Sequence, residues 1–251
     1  MDNSVSKRFL VDVPDAPLFY PCCGNDTLLP LSLFMNDVSD YYFVDIARLP
    51  NLPSLEINRG KSSDGLDACV ASECTHYDFP ARTISKSSVC GAGKLELPEI
   101  SDSRYCKWRT EQAASWSLTG KKAFITQEWQ HLSSSRILTI NQYQYDGLAV
   151  LFSLERIGVF FLRGDSLGFG GSGQRWLQQC LLDFILSKLV NGGLILWDGG
   201  YEADDKGNPA CKLLSPEHFR YLKRNFRFLG IIKNDRRSTR GPINAWQVSI
   251  L

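Results

Sequence analysis

LFYPCCGNDTLLPLSLFMNDVSDYYFVD, running from Leu18 to Asp45, is the stretch on which the reading of the fold turns. It reads as an apolar strand, a tight turn at Pro21-Cys22-Cys23-Gly24-Asn25-Asp26, a short helix, and a second strand, Tyr41 to Val44, that ends on Asp45. Asp26 or Thr27 is placed to cap the helix, because either side chain can accept from the unpartnered N–H groups of a first turn. The turn thus aims backbone donors above the strand, and the Asp45 carboxylate stands where nucleotide-binding units hold a ribose diol. The stretch is read as a mononucleotide-binding half without its usual glycines.

The 251 residues are 43% hydrophobic and 22% charged, a globular composition with enough apolar material for one sizeable core. A formal charge of +1 gives no general attraction to polyanions, so nucleic-acid contact would need a local patch. No apolar run reaches membrane-spanning length and the first residues carry no long apolar region, so a cytoplasmic protein without membrane contact is expected. Eight cysteines are too sparse for a disulfide scaffold in a chain this long and are expected to be reduced.

Along the chain, Phe9 to Val13 has the pattern of an edge strand stopped by Pro14. Residues 49–98 show little periodicity and hold several Pro, Gly and Ser, and 49–132 is expected to form an irregular insertion that covers the sheet, within one domain spanning 1–251, although Lys121 to Gln127 alternates enough to be a strand. Within the insertion, Cys69, Cys74, His76 and Cys90 are zinc-type ligands, but no C-x-x-C pair is present, and no metal is assigned. Trp108, Trp116 and Trp129 alternate with Arg109, Lys121 and Lys122; they either close a small core or present a stacking surface, and the insertion is the place for a protein partner. From Arg136 regularity returns: a β-branched strand to Gln142, a helix from Asp146 to Leu154, a buried strand Ile157 to Leu162, and an apolar-faced helix Gln174 to Leu189. Strand Leu194 to Trp197, a helix opened by Ser215-Pro216-Glu217, and strands Phe226 to Lys233 and Ile243 to Ile250 complete the set.

The alternation, with KLVNGGLILWD (Lys188 to Asp198) and a closing FRFLG…AWQVSI hairpin, resembles the class I S-adenosylmethionine-dependent methyltransferases over residues 16–46 and 135–251. The resemblance implies an α/β fold: a doubly wound, mostly parallel Rossmann-like sheet of about seven strands with a C-terminal antiparallel hairpin and a long insertion. Laying FYPCCGND on that family's first-strand turn puts Tyr20 at its acidic position, Cys22 and Asp26 at outer glycines, and Gly24 on a matching glycine. It implies S-adenosylmethionine as cofactor, with contacts from Tyr20, Pro21, Cys22, Gly24, Asp26, Asp45 and Asp146.

Arg163 to Gly173, with five glycines in eleven residues, lies between a strand and a helix, where open sheets place ligands. Arg163, Ser166, Gly170 and Gly171 are substrate-side candidates, against the plain alternative of a turn that merely needs glycine. By position in the family, Asp165 is the catalytic-loop acid, and Asp198 ends the neighbouring strand, so either carboxylate is a candidate base toward a hydroxyl or amine acceptor. The acceptor itself, whether small molecule, protein or nucleic acid, is not specified by these residues. Cys22 and Cys23 at a helix start are a candidate nucleophile or simply small turn residues. Lys233, Arg236, Arg237 and Arg240 form a basic hairpin loop, read as phosphate contact or solvated rim. The alternative to an enzyme is a non-catalytic ligand-sensing or protein-interaction module whose turn no longer admits the cofactor, and a third reading is a transferase or hydrolase acting on a phosphorylated ligand.

Overall fold

The computed structural model describes residues 4–24, 26–45, 93–97, 100–117, 120–131, 136–163, 175–199, 209–232 and 242–251. Eleven strands form one sheet: β1 (Leu18–Pro21), β2 (Asp40–Asp45), β3 (Gly93–Leu97), β4 (Ile100–Ser117), β5 (Gly120–His131), β6 (Ile137–Gln144), β7 (Ile157–Leu162), β8 (Leu189–Trp197), β9 (Phe219–Tyr221), β10 (Arg224–Ile232) and β11 (Ile243–Ile250). Their order across the sheet is β3-β4-β5-β6-β2-β1-β7-β8-β11-β10-β9. Four neighbouring pairs are parallel and unite β6-β2-β1-β7-β8; the other six are antiparallel.

This corrects the expected fold class. The protein is not a doubly wound, mostly parallel α/β sheet of about seven strands: antiparallel pairs outnumber parallel ones, and the described helices are four and short. They are α1 (Val5–Phe9), α2 (Leu28–Phe34), α3 (Gly147–Ser153) and α4 (Gln179–Lys188), of 5, 7, 7 and 10 residues. Residues 93–131, expected to be irregular apart from a strand at Lys121 to Gln127, supply three strands: that strand lies within β5, and β4 alone is 18 residues long. Its sequence, ISDSRYCKWRTEQAASWS, carries no sustained apolar alternation, and its pairing with β5 and β3 is what defines it as a strand. The expected strand Phe9–Val13 is also replaced: the chain leaves helix α1 through Leu10 in a left-handed conformation at φ 52. In place of the helix from Ser215, residues Pro209–Leu214 form a 3₁₀ turn and Phe219–Tyr221 a strand.

The central strands are buried on both faces, as parallel sheets require. β7 has six buried residues in a row, and β1 four. One face carries Tyr20, Phe43, Phe161 and Leu196 against Val5, Leu31 and Phe34. The other carries Phe19, Val44, Phe160 and Trp197 against Val150, Leu182, Ile185 and Trp176. Burial of a side chain of this size stabilises by about 1.5–3 kcal/mol, so these two layers fix the strand order at the centre. The carboxyl ends of β2, β1 and β7 therefore lie side by side.

Candidate functional site at the parallel strand ends

The turn after β1 is stitched to the end of β2. Cys23 N donates to Val44 O at 3.1 Å and Gly24 N to Asp45 Oδ2 at 2.9 Å. The path needs two left-handed residues, Cys22 at φ 57 and Gly24 at φ 55; glycine takes this conformation without cost, while at Cys22 it stores about 1–3 kcal/mol of backbone strain. Thr27 occupies the cap position of α2 but makes no side-chain capping bond.

Asp26 turns its carboxylate across the sheet. Its Oδ2 pairs with Arg163 Nη1 at 3.0 Å, and the side chains are 17% and 5% exposed, so the pair is held largely out of water. Arg163 is the first residue after β7, and the Tyr20 hydroxyl donates to its carbonyl at 2.9 Å with Asp26 Oδ2 at 3.3 Å as a second acceptor. Trp176 closes the other side: its indole N–H donates to Cys22 Sγ at 3.3 Å, and its ring packs on Phe19 and over Gly147. A Cβ on Gly147 would sit 2.9 Å from that indole, so glycine is the residue that lets α3 start there.

The structure thus brings together Tyr20, Pro21, Cys22, Gly24, Asp26, Asp45 and Arg163. Asp146 stands one residue past Tyr145, whose N–H donates to Asp45 O at 3.2 Å; its carboxylate caps α3 through Leu148 N at 2.7 Å and Ala149 N at 3.2 Å. Leu162 and Trp197 share a rung of the β7–β8 pair, so Asp198 leaves the sheet beside Arg163 and is half-buried there. Asp165, Ser166, Gly170 and Gly171 lie outside the described residues, as do Cys69, Cys74, His76 and Cys90 and the basic residues Lys233, Arg236, Arg237 and Arg240. Among the described residues no group of three metal-ligating side chains is present, and no helix is long and apolar enough to cross a membrane. Cys23 is no thiolate nucleophile: burial pushes its thiol well above the ordinary range, and Asp45, Cys22 and Asp26 add to the rise.

A second polar group lies on the face of the same sheet. Asp40, Thr139 and Glu128 share one rung across β2, β6 and β5, Tyr42, Asn141 and Thr126 the next, and Val44, Tyr143 and Phe124 the third. Asn141 Nδ2 donates to Asp40 Oδ1 at 2.8 Å, and Thr126 Oγ1 to Asn141 Oδ1 at 2.8 Å. Burial raises the Asp40 carboxyl to about 6, opposed by the hydrogen bonds of Asn141 and Tyr42. Burial, with Asp40 nearby, also raises Tyr143 to about 12 and Tyr42 further. The rings of Tyr42, Tyr143 and Phe124 stack in a row at 6.0 and 5.4 Å. Sequence reasoning passed over this group; the period-2 placement of Asp40 with Tyr42 and of Asn141 with Tyr143 was its signal.

No family model, curated protein or solved structure matches this chain.

Proposed function

We propose that this chain binds S-adenosylmethionine across the carboxyl ends of β2, β1 and β7 and is methyltransferase-like. The observation that carries the reading is the Gly24 N to Asp45 Oδ2 bond at 2.9 Å, which sets a carboxylate at the end of β2 directly beside the β1 turn. Ligands of open parallel sheets sit at such strand ends, and an acid after the second strand suits a ribose diol. The residues present fit the group: Asp45 for the hydroxyls, and Asp26 with Arg163 for opposite charges at the other end of the turn. Bound there, the cofactor supplies an electrophilic methyl group on a sulfonium. The chain's part is to align donor and acceptor and to exclude water, with Asp198 at the adjacent strand end as the described carboxylate able to take the acceptor's proton.

A phosphorylated ligand is less well served. A lone anion approaching Arg163 meets the Asp26 carboxylate at 3.0 Å from the same guanidinium. The non-catalytic reading draws on a different observation: Tyr20, Asp26, Arg163 and Asp45 already bond one another and the turn backbone, an arrangement that holds the strand ends together without a ligand. Isothermal titration calorimetry with S-adenosylmethionine and S-adenosylhomocysteine, paired with the shift in Tm, separates the two. Micromolar binding that Asp45→Ala abolishes supports the cofactor site; no heat with either compound from folded protein moves the reading to the non-catalytic module.

A further inference from the structure

We infer that Asn191-Gly192 is a site of spontaneous modification, at which the Asn191 carboxamide closes on the Gly192 backbone nitrogen, loses ammonia and opens with water to aspartyl and isoaspartyl forms. It is the one Asn-Gly pair in the sequence. Glycine after asparagine leaves the attacking nitrogen unhindered, because no Cβ stands beside it. The fold adds to that chemistry. Strand β8 pairs with β7 at Leu189 and again from Leu194, across an irregular register, and with β11 from Gly193 onward. Val190, Asn191 and Gly192 therefore stand outside the paired rungs, as a bulge. Asn191 is exposed, so water and hydroxide reach it. Gly192 has φ 76, and a Cβ built on it would meet only Gln247 Nε2, at 3.8 Å, among the described residues, so the bulge has room to turn.

Asn191 Oδ1 accepts from Ile250 N at 2.8 Å. The β8–β11 register, continued past Gly193 and Val248, sets Asn191 opposite Ile250, so the carboxamide stands in for a backbone acceptor at the end of β11. The same N–H draws density away from Cγ and meets the negative charge that gathers on Oδ1 as the nitrogen attacks. In the first step the Gly192 nitrogen gives its proton to hydroxide and bonds to Asn191 Cγ. The Cγ–Nδ2 bond breaks, and Nδ2 takes a proton from water and leaves as ammonia. Water then adds to the cyclic imide. Opening at Cγ restores the main chain and leaves aspartate; opening at the Asn191 main-chain carbonyl leaves a chain routed through Cγ, one methylene longer. Aspartate keeps an acceptor for Ile250 N, and Arg224, which pairs with Ile250 in the β10–β11 register, lies on the same row to meet the new charge. The isoaspartyl form lengthens the bulge and moves the acceptor, which loosens the end of β11.

The experiment follows the full chain by peptide mass spectrometry at mildly alkaline pH, folded and unfolded in urea, in ordinary and heavy-oxygen water. The expected result is amide-to-acid conversion in the peptide holding Asn191, with isoaspartyl and aspartyl products both carrying solvent oxygen and a rate that rises with pH. The folded chain should convert at no less than about half the rate of the unfolded chain. Asn191→Gln, whose longer arm closes the corresponding ring far less readily, should keep the parent's Tm and show no conversion there. A folded-state rate below about half of the unfolded one overturns the inference, because the Ile250 bond then shields the carboxamide instead of activating it. Conversion to aspartate with no isoaspartyl form overturns it as well, since that is direct hydrolysis. The comparison of folded with unfolded chain needs no variant.

Discussion

Replacing Asp40 with Asn should make the protein more stable at neutral pH, and by an amount that depends on pH in a defined way. In the folded protein burial lifts the Asp40 carboxyl from 3.8 to about 6. Above that value the folded state carries the cost of a half-buried charge that the unfolded chain carries in water. The difference of about 2 pH units corresponds to about 3 kcal/mol at 1.36 kcal/mol per unit, and solvent screening at a half-buried position brings the observable effect to about 1–3 kcal/mol. As pH falls through about 6 the folded carboxyl takes up its proton before the unfolded one, so the cost shrinks, and by about pH 4 it is gone. Asn is nearly isosteric and its Oδ1 still accepts from Asn141 Nδ2, now 2.8 Å from Asp40 Oδ1, while its amide donates to the Tyr42 hydroxyl in place of the bond the carboxylate accepts. Urea unfolding of both proteins from pH 4 to 8, compared at unchanged m-value, isolates this residue from other carboxylates. Asp40→Asn should be the more stable protein at pH 7.5 and equal to the parent near pH 4. A gap that stays constant over this range, or a variant less stable at pH 7.5, refutes the reasoning.

Three further outcomes are expected. Gly158→Ala should destabilise by about 1–3 kcal/mol in chemical denaturation, because the new Cβ would lie 2.8 Å from Ala16 O and 3.1 Å from Pro14 O, backbone atoms that cannot turn aside. The β9–β10 turn places Leu222 and Lys223 at φ 46 and 56, a two-residue geometry that favours Asn-Gly; Leu222→Asn with Lys223→Gly should raise stability by about 1–2 kcal/mol, read as a higher Tm. Asp146→Ala should cost about 1 kcal/mol through loss of the α3 cap, and the amides of Leu148 and Ala149 should be the first to lose hydrogen-exchange protection.

The parallel centre was legible because its strands are buried on both faces and read as unbroken apolar runs. Ile157 to Leu162 was placed at its observed limits, and Leu18, Asp45 and Ile243 to Ile250 likewise mark observed strand ends. The flanks were legible only in part, in the closing hairpin and in Lys121 to Gln127 of β5. In β4 and the rest of β5 the strands are held by partners to either side, and their polar residues follow no single periodicity. At Ser215 the start signal Ser-Pro-Glu suggested a helix, but Phe219 stacks on Phe226 at 4.4 Å and Tyr221 bonds Asp183 at 2.7 Å, spacings of two that belong to a strand. Of the candidate residues, Asp45 at the end of β2 and the turn after β1 were placed from local pattern. The bond between Asp26 and Arg163 spans 137 residues, and that from Trp176 to Cys22 spans 154, and no local pattern reports either.

Strand order also sets a schedule for biosynthesis. β1 lies between β2 and β7, and Leu18 is in register with both Tyr41 and Val159. A ribosome delivers β2 almost at once, but at about 5–20 residues per second the chain needs roughly 6 to 23 seconds more before β7 is available. Through that interval one hydrogen-bonding edge of a fully apolar strand has no native neighbour, and parallel pairing across so long a crossover is slow once it becomes possible. Changes that slow the delivery of β7 should therefore lower yield without altering the stability of molecules that finish folding.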